Sequence, residues 1–360
     1  MAGLVILALA LPYVTWWDWG FATATETARE VPLYLFTAGA TGLAGIVLMT
    51  WEYWLGAAVA YLAVRAIVTP SSLGLAVVHW VCLGALLYLA LSALPPRWAR
   101  GLRWGLVASG LTQAAYGMIQ LCGYDPIWNG WRPTGVHFMH GTVDHPTLYG
   151  ALCAILAHLG PAWTLPILTV AAWGSGSLLA VVAILGGAVV RWWDAPMVRY
   201  GGLLGIAGWL AWTYRMVGPW RAKSADSLGA RLTAWSLAWA DMDRSWAALL
   251  FGYGPGSWWR RVPRAQIAAD PTLGTVFYQG HNDLLQLAFE GGLVACALLG
   301  LWILSHPAFW TSPAVWALGI VSLGTFPWHV APVAVTAVAV LALVARAEAP
   351  RLSASWRYWQ

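Results

Sequence analysis

The chain has 360 residues, of which 60% are apolar and 9% charged, with a formal net charge of +5. A water-soluble domain carries roughly a quarter charged residues, so composition excludes a soluble globule, a disordered chain, a nucleic-acid-binding domain and a disulfide scaffold. A mean hydropathy of +0.65 points instead to one membrane-embedded body of about a dozen spans at about 20 residues each.

In chain order, the apolar runs of membrane length are 1–17, 33–50, 53–69, 72–94, 103–122, 146–160, 162–174, 177–193, 197–214, 282–304, 312–326 and 330–346. The first lacks a basic leader and ends in Trp16 and Trp17, so a retained span is expected, not a cleaved signal peptide. Runs six to eight are short and closely spaced, which predicts that one is broken or re-entrant. Two polar stretches interrupt the pattern, Gly123 to His145 and Met216 to His281.

Orientation follows from the arginines. Arg97, Arg100 and Arg103 lie between the fourth and fifth runs, Arg191 and Arg199 between the eighth and ninth, and Arg346, Arg351 and Arg357 in the tail. An even number of spans puts all three clusters on one side, predicted to be the cytoplasm. The expectation is therefore an all-α integral membrane protein, a single membrane domain over 1–360. About 12 transmembrane helices carry one large extracytoplasmic (periplasmic) loop at 216–281, and both termini are cytoplasmic.

Cys82, Cys122, Cys153 and Cys296 are far apart with no CxxC spacing, so they read as small core residues. Lys223 is the single lysine among 19 basic residues. Arginine usage of this kind suits bidentate phosphate or carboxylate recognition, although a high-GC genome produces the same bias. Most of the 28 Trp lie near predicted span ends, as interface anchors do. One or two in the large loop, such as Trp220 or Trp258, are candidates for stacking on sugars.

Chemistry concentrates at the end of the large loop. Gly252-Tyr253-Gly254-Pro255-Gly256 is a glycine-rich turn that demands unusual backbone angles. It is followed by His281-Asn282-Asp283-Leu284-Leu285-Gln286-Leu287-Ala288-Phe289-Glu290-Gly291-Gly292. Asn282, Gln286 and Glu290 are four apart and form a polar stripe on an otherwise apolar helix, with His281 at its outer mouth. Polar groups inside a span are costly and normally face a cavity; a packing stripe or a capped helix start explains the same spacing.

Together these residues resemble the O-antigen ligase and polymerase superfamily of membrane glycosyltransferases. The likeness lies in the Gly-x-Gly-Pro-Gly turn and the His-Asn-Asp-x-Leu-Gln-x-x-x-Glu-x-Gly block that opens a late span. Arg231-Leu232-Thr233-Ala234-Trp235 is similar to the family's Arg-x-x-x-Trp, and His145-Pro146-Thr147-Leu148-Tyr149-Gly150-Ala151 to its Asn-Pro-Asn-x-x-Ala. The resemblance covers roughly residues 140 to 305. Two places depart from it: Ser175-Gly176-Ser177 stands where the family has Ser-Arg-Gly, and His145 and Thr147 replace its asparagines.

The resemblance implies a GT-C-like fold in a bacterial inner membrane. The implied activity is metal-independent, inverting transfer of a glycan from a polyprenyl-diphosphate donor to a hydroxyl of a lipid, glycan or protein acceptor. A polymerase and a protein O-oligosaccharyltransferase fit the same motifs; a transporter or an inactive scaffold are the non-enzymatic readings. A diphosphate leaving group needs its growing charge neutralised, a task for the planar fork of Arg231 with help from Arg260, Arg261 or Arg264. The acceptor hydroxyl needs a base, and His281 is the candidate. Asn282, Gln286, Glu290, His145, Gly254 and Gly256 are the expected substrate-binding residues, and no cofactor is expected.

Two further clusters carry rival readings. Asp241 and Asp243 form either a divalent-metal pair or, more in keeping with their setting, a solvated loop face. His137, His140, Asp144 and His145 crowd nine positions and admit zinc binding. Their spacing is not that of HExxH and Gly141 breaks a helix, which favours sugar contacts or a polar interfacial loop.

Overall fold

The computed structural model describes residues 52–69, 71–125, 130–131, 139–143, 145–193, 218–270 and 276–356. The expected spans 1–17, 33–50 and 197–214, together with His137 and Asp144, lie outside the described residues. Where described, the chain is α-helical. The helices in order are α1 (Tyr53–Val68), α2 (Ser72–Ser92), α3 (Pro96–Leu121), α4 (Pro146–Leu156), α5 (Thr164–Gly174) and α6 (Leu178–Arg191). They continue with α7 (Gly218–Met242), α8 (Trp246–Phe251), α9 (Ser257–Ala269), α10 (Asp283–Leu304), α11 (Pro307–Thr311), α12 (Pro313–Ser322) and α13 (Ala331–Trp356). The extended structure among the described residues is a two-residue antiparallel pair, Tyr124–Asp125 with Gly130–Trp131.

Start signals are written in the sequence. Prolines stand in the first turns of α3, α4 and α12, where a missing N–H costs nothing. Ser177, Ser245, Asn282 and Ser312 cap α6, α8, α10 and α12 with their side-chain oxygens.

The described residues divide into two compact units, one drawn from 87–221 and 307–356, the other from 52–86 and 222–306. In the first, α4 is buried from Leu148 to His158 and packs against α3, α5, α6 and α12. A helix buried on all sides must be apolar all round, which is why 146–160 carries no amphipathic period. Three arginines then gather at helix ends of this unit. Arg103 Nε donates to Leu159 O at 2.6 Å, Arg191 Nη2 to Gly160 O at 3.5 Å and Arg346 Nη1 to Ser92 O at 2.9 Å.

In the second unit, α7, α9 and α10 enclose a core of Ala234, Ala238, Met242, Trp258, Val262 and Phe289. The alanines recur every four residues on α7, so the helix presents a shallow face to the Trp258 ring. Leu62, Ala63 and Ala66 of α1 pack with Val78 and Ala295 in a second cluster.

By length and composition, α10 is long and apolar enough to cross a membrane, with 22 residues and a hydropathy of 2.0. Length and composition alone carry this, since the backbone is kinked within the helix at Gly292. The other apolar helices, including α1, α4, α5, α6 and α12, fall between 10 and 17 residues. Large apolar side chains face outward on several of them: Leu83 and Leu86 on α2, Ile167, Val170 and Trp173 on α5, Leu293, Leu301 and Leu304 on α10.

Candidate functional site

The second unit brings the turn, the histidine block and the Arg-x-x-x-Trp segment together around a break in α10. Gly292 leaves the helical region (φ 70°, ψ −176°), so the preceding carbonyls lose their partners one turn on. The glycine turn supplies replacements. Tyr253 N–H donates to Phe289 O at 2.9 Å and Gly254 N–H to Glu290 O at 2.8 Å. From α1, the Tyr61 hydroxyl donates to Gly291 O at 2.8 Å, and Arg65 Nη2 to Gly252 O at 2.8 Å.

The turn adopts the left-handed backbone expected of it. Gly254 has φ +95° and Gly256 φ +74°. A Cβ on Gly254 would run into Thr69, and one on Gly256 would lie 2.8 Å from Leu73. Gly256 is the N-cap of α9 and has no side chain to cap with. Glu290 does that work from α10. Its Oε2 accepts from Gly256 N at 2.8 Å, and its Oε1 from Trp258 N at 3.4 Å and Gln286 Nε2 at 3.1 Å. A carboxylate at a helix N-terminus also meets the positive end of the helix dipole. The acid inside an apolar helix is thus accounted for by backbone donors.

The rest of the polar stripe is similarly engaged. Asn282 caps α10 through Oδ1 on Leu285 N at 3.0 Å, and Gln286 Oε1 accepts from Gly280 N at 2.8 Å. Gln286 and Glu290 are each 7% exposed. Their polar atoms face the protein, so their contribution is to hold the turn and the loop before α10.

That loop ends in His281. Its φ of +48° makes it the one non-glycine residue with positive φ among the described residues. Such backbone costs of order 1–3 kcal/mol and persists where neighbours over-determine it. They do so here. Trp235 Nε1 donates to Gly280 O at 2.6 Å, Gln266 Oε1 accepts from Phe277 N at 3.0 Å, and the Phe277 ring meets the imidazole edge-on at 4.9 Å. Arg231 lies four residues before Trp235 on α7, hence on the same face. Its guanidinium is half-buried, and desolvation pushes its pKa down. The i, i+4 spacing of arginine and tryptophan therefore has a geometric meaning: Trp235 pins the His281 loop and Arg231 stands one turn away.

The α9 arginines separate. Arg261 is turned to Asp241 by two hydrogen bonds of 2.9 and 3.2 Å and stacks over Tyr253 at 3.8 Å. Those bonds raise its pKa, and Tyr253 in turn donates to Asp241 O at 2.7 Å. Asp241, in the last turn of α7, is an arginine partner here. Arg260 is half-buried and Arg264, one turn on, is exposed. Trp258 is fully buried in the core, which corrects its reading as a sugar platform; its neighbour Trp259 stacks with the exposed Tyr278 at 4.6 Å.

His145 belongs to the first unit, exposed before α4, its ring edge-on to Phe326 at 6.0 Å. The polar stretch leading to it holds a network that spacing did not reveal. Asp125 accepts from Tyr116 (2.5 Å), Gln120 (3.1 Å) and the His140 ring (2.9 Å). Gln120 Oε1 also accepts from the backbone N–H of His140 and Gly141, and Gln113 brackets Thr142. Residues 113, 116 and 120 share one face of α3, a cue the sequence did carry. Among the described residues no group of three His, Cys, Asp or Glu is arranged to hold a metal.

The chain matches no protein-family model and no curated protein sequence.

Proposed function

We propose that the chain is a multi-span membrane glycosyltransferase that moves a glycan from a polyprenyl diphosphate to an acceptor hydroxyl outside the cytoplasmic membrane. The observation that carries this is His281. It is a strained histidine in a loop held by Trp235, Gln286 and the Asn282 cap, and Trp235 itself stands one helical turn along α7 from the half-buried Arg231. The motifs that resemble the O-antigen ligase superfamily are the same residues that build this arrangement.

In the proposed step the acceptor oxygen attacks the anomeric carbon and its proton passes to His281. The bond to the diphosphate oxygen breaks with inversion, and the charge left there is met by Arg231, assisted by Arg260 or Arg264. Neither metal nor cofactor is required. Asn282, Gln286, Glu290, Gly254 and Gly256 act as positioning residues.

The outward leucines and tryptophans of α2, α5 and α10 support a lipid setting, in which about twelve helices lie in or across the bilayer. The arginines support the orientation, since members of all three clusters reach helix ends of one unit. A purified His281→Ala protein tests the assignment. Donor binding is expected to persist while turnover falls roughly 10²–10⁴-fold; wild-type turnover would remove the histidine from the reaction.

A further inference from the structure

At the C-terminal end of α4, two arginines from different helices donate to neighbouring carbonyls. Arg103, in the second turn of α3, gives its Nε to Leu159 O. Arg191, the last residue of α6, gives Nη2 to Gly160 O. The two carbonyls are adjacent in the chain, so both guanidinium groups gather at one helix end. Arginine near a helix C-terminus caps carbonyls and meets the negative end of the dipole. That role uses one nitrogen of each. Nη1 of Arg191 is buried and makes no hydrogen bond, and neither arginine takes part in an ion pair with a described carboxylate. A buried charged donor left in this way is expensive, and two adjacent cations repel each other unless an anion joins them.

The surroundings say which anion. Trp104 follows Arg103, Trp163 lies just beyond Gly160, and Trp192 and Trp193 follow Arg191; all four rings are exposed. The Arg191 guanidinium lies 5.6 Å from the centre of the Trp192 ring. Amphipathic indoles beside basic residues are what a chain presents at headgroup depth. Arg100 and Arg97, exposed about one and two turns before Arg103 on α3, extend the basic surface.

We infer that Arg103 and Arg191 form a binding site for the phosphate of an anionic phospholipid headgroup, with the exposed indoles seated among the neighbouring acyl and glycerol groups. A phosphodiester offers two oxygens, matching the paired donors of a guanidinium. Bound there, it would supply an acceptor to Nη1 of Arg191 and relieve the repulsion between the two cations. The site rests on the membrane setting proposed above and is independent of the transfer chemistry.

The test uses the full chain in nanodiscs, with lipid retained on the protein after detergent extraction measured by native mass spectrometry. Wild type is expected to retain phosphatidylglycerol over phosphatidylcholine. Near a membrane surface each basic residue contributes roughly fivefold in affinity. Arg103→Gln or Arg191→Gln should therefore lose about fivefold of that preference, and the double variant on the order of twentyfold. The Arg97→Gln, Arg100→Gln protein should keep most of it, which separates a built site from diffuse charge. Thermal melting in detergent with phosphatidylglycerol or with inorganic phosphate distinguishes the sources: stabilisation by the lipid alone is expected. Equal retention by the double variant would overturn the site, and so would full stabilisation by inorganic phosphate. Failure of the wild type to enter nanodiscs would overturn the membrane reading itself.

Discussion

Glu290→Ala should be among the most damaging single changes to the second unit, for reasons of stability. The carboxylate satisfies Gly256 N–H at 2.8 Å, the Gln286 amide at 3.1 Å and, more loosely, Trp258 N–H at 3.4 Å. Alanine strands all three in a buried setting. An orphaned buried donor costs about 1–3 kcal/mol. Taking the first two near the middle and the third at the low end gives about 5 kcal/mol, before any cost of the space left behind. That approaches the whole stability of many domains. Glu290→Gln keeps one acceptor oxygen and turns an amide towards the other donors, so it should lose about 1–3 kcal/mol. The assay is unfolding of purified protein in detergent, read together with turnover per folded molecule. The expected order is wild type, then glutamine, then alanine, with the glutamine variant within tenfold of wild-type turnover. A folded, stable Ala variant would refute the capping role. A stable but inactive Gln variant would make Glu290 a participant in proton transfer.

Gly256→Ala should cost about 1–2 kcal/mol from its left-handed φ alone, and Gly254→Ala more, because its methyl meets Thr69; melting midpoints of the two variants check the order. Trp235→Phe keeps the ring packing but removes the 2.6 Å bond to Gly280 O, so turnover should fall tenfold or more with donor affinity little changed. An unchanged turnover would mean that other contacts suffice to fix His281. Arg261→Gln should leave turnover within threefold and cost about 0.2–1 kcal/mol, as expected of an exposed ion pair with Asp241. A large loss of donor affinity there would move Arg261 to the diphosphate.

The sequence made the apolar helices legible because each is a long run bounded by prolines, capping serines or arginines. The boundaries of α4, α5, α6 and α12 fall within a few residues of the expected runs, with α4 ending at Leu156 and α12 at Ser322, short of the expected limits. The stretch 216–281 read as polar loop, yet α7, α8 and α9 occupy most of it. The reason is that α7 buries small residues, Ala234 and Ala238, amid arginines and tryptophans, so its apolar face is too slight to register as a period. At the site, the glycine turn announced its backbone, but its partner Glu290 lies 34 residues from Gly256 and no local spacing links them. Asn282 was legible as a stripe member and as a cap; only the three-dimensional contact with Leu285 chooses the cap. Asp125 and His140, 15 residues apart across a hairpin, were invisible as a pair for the same reason.

The most direct measurement of the central claim is donor binding and turnover by the Arg231→Lys protein, with a polyprenyl-diphosphate-linked glycan as donor. Arg231 is half-buried one turn along α7 from Trp235, which pins the His281 loop, and a guanidinium offers two parallel donors to a diphosphate. Lysine keeps the charge and loses the fork, so turnover is expected to fall about as far as in Arg231→Ala, with weakened donor affinity. The loss in turnover should exceed that in affinity, because charge on the bridging oxygen grows toward the transition state. Unchanged affinity and unchanged turnover in the lysine variant would contradict the assignment and leave Arg231 a structural residue of α7.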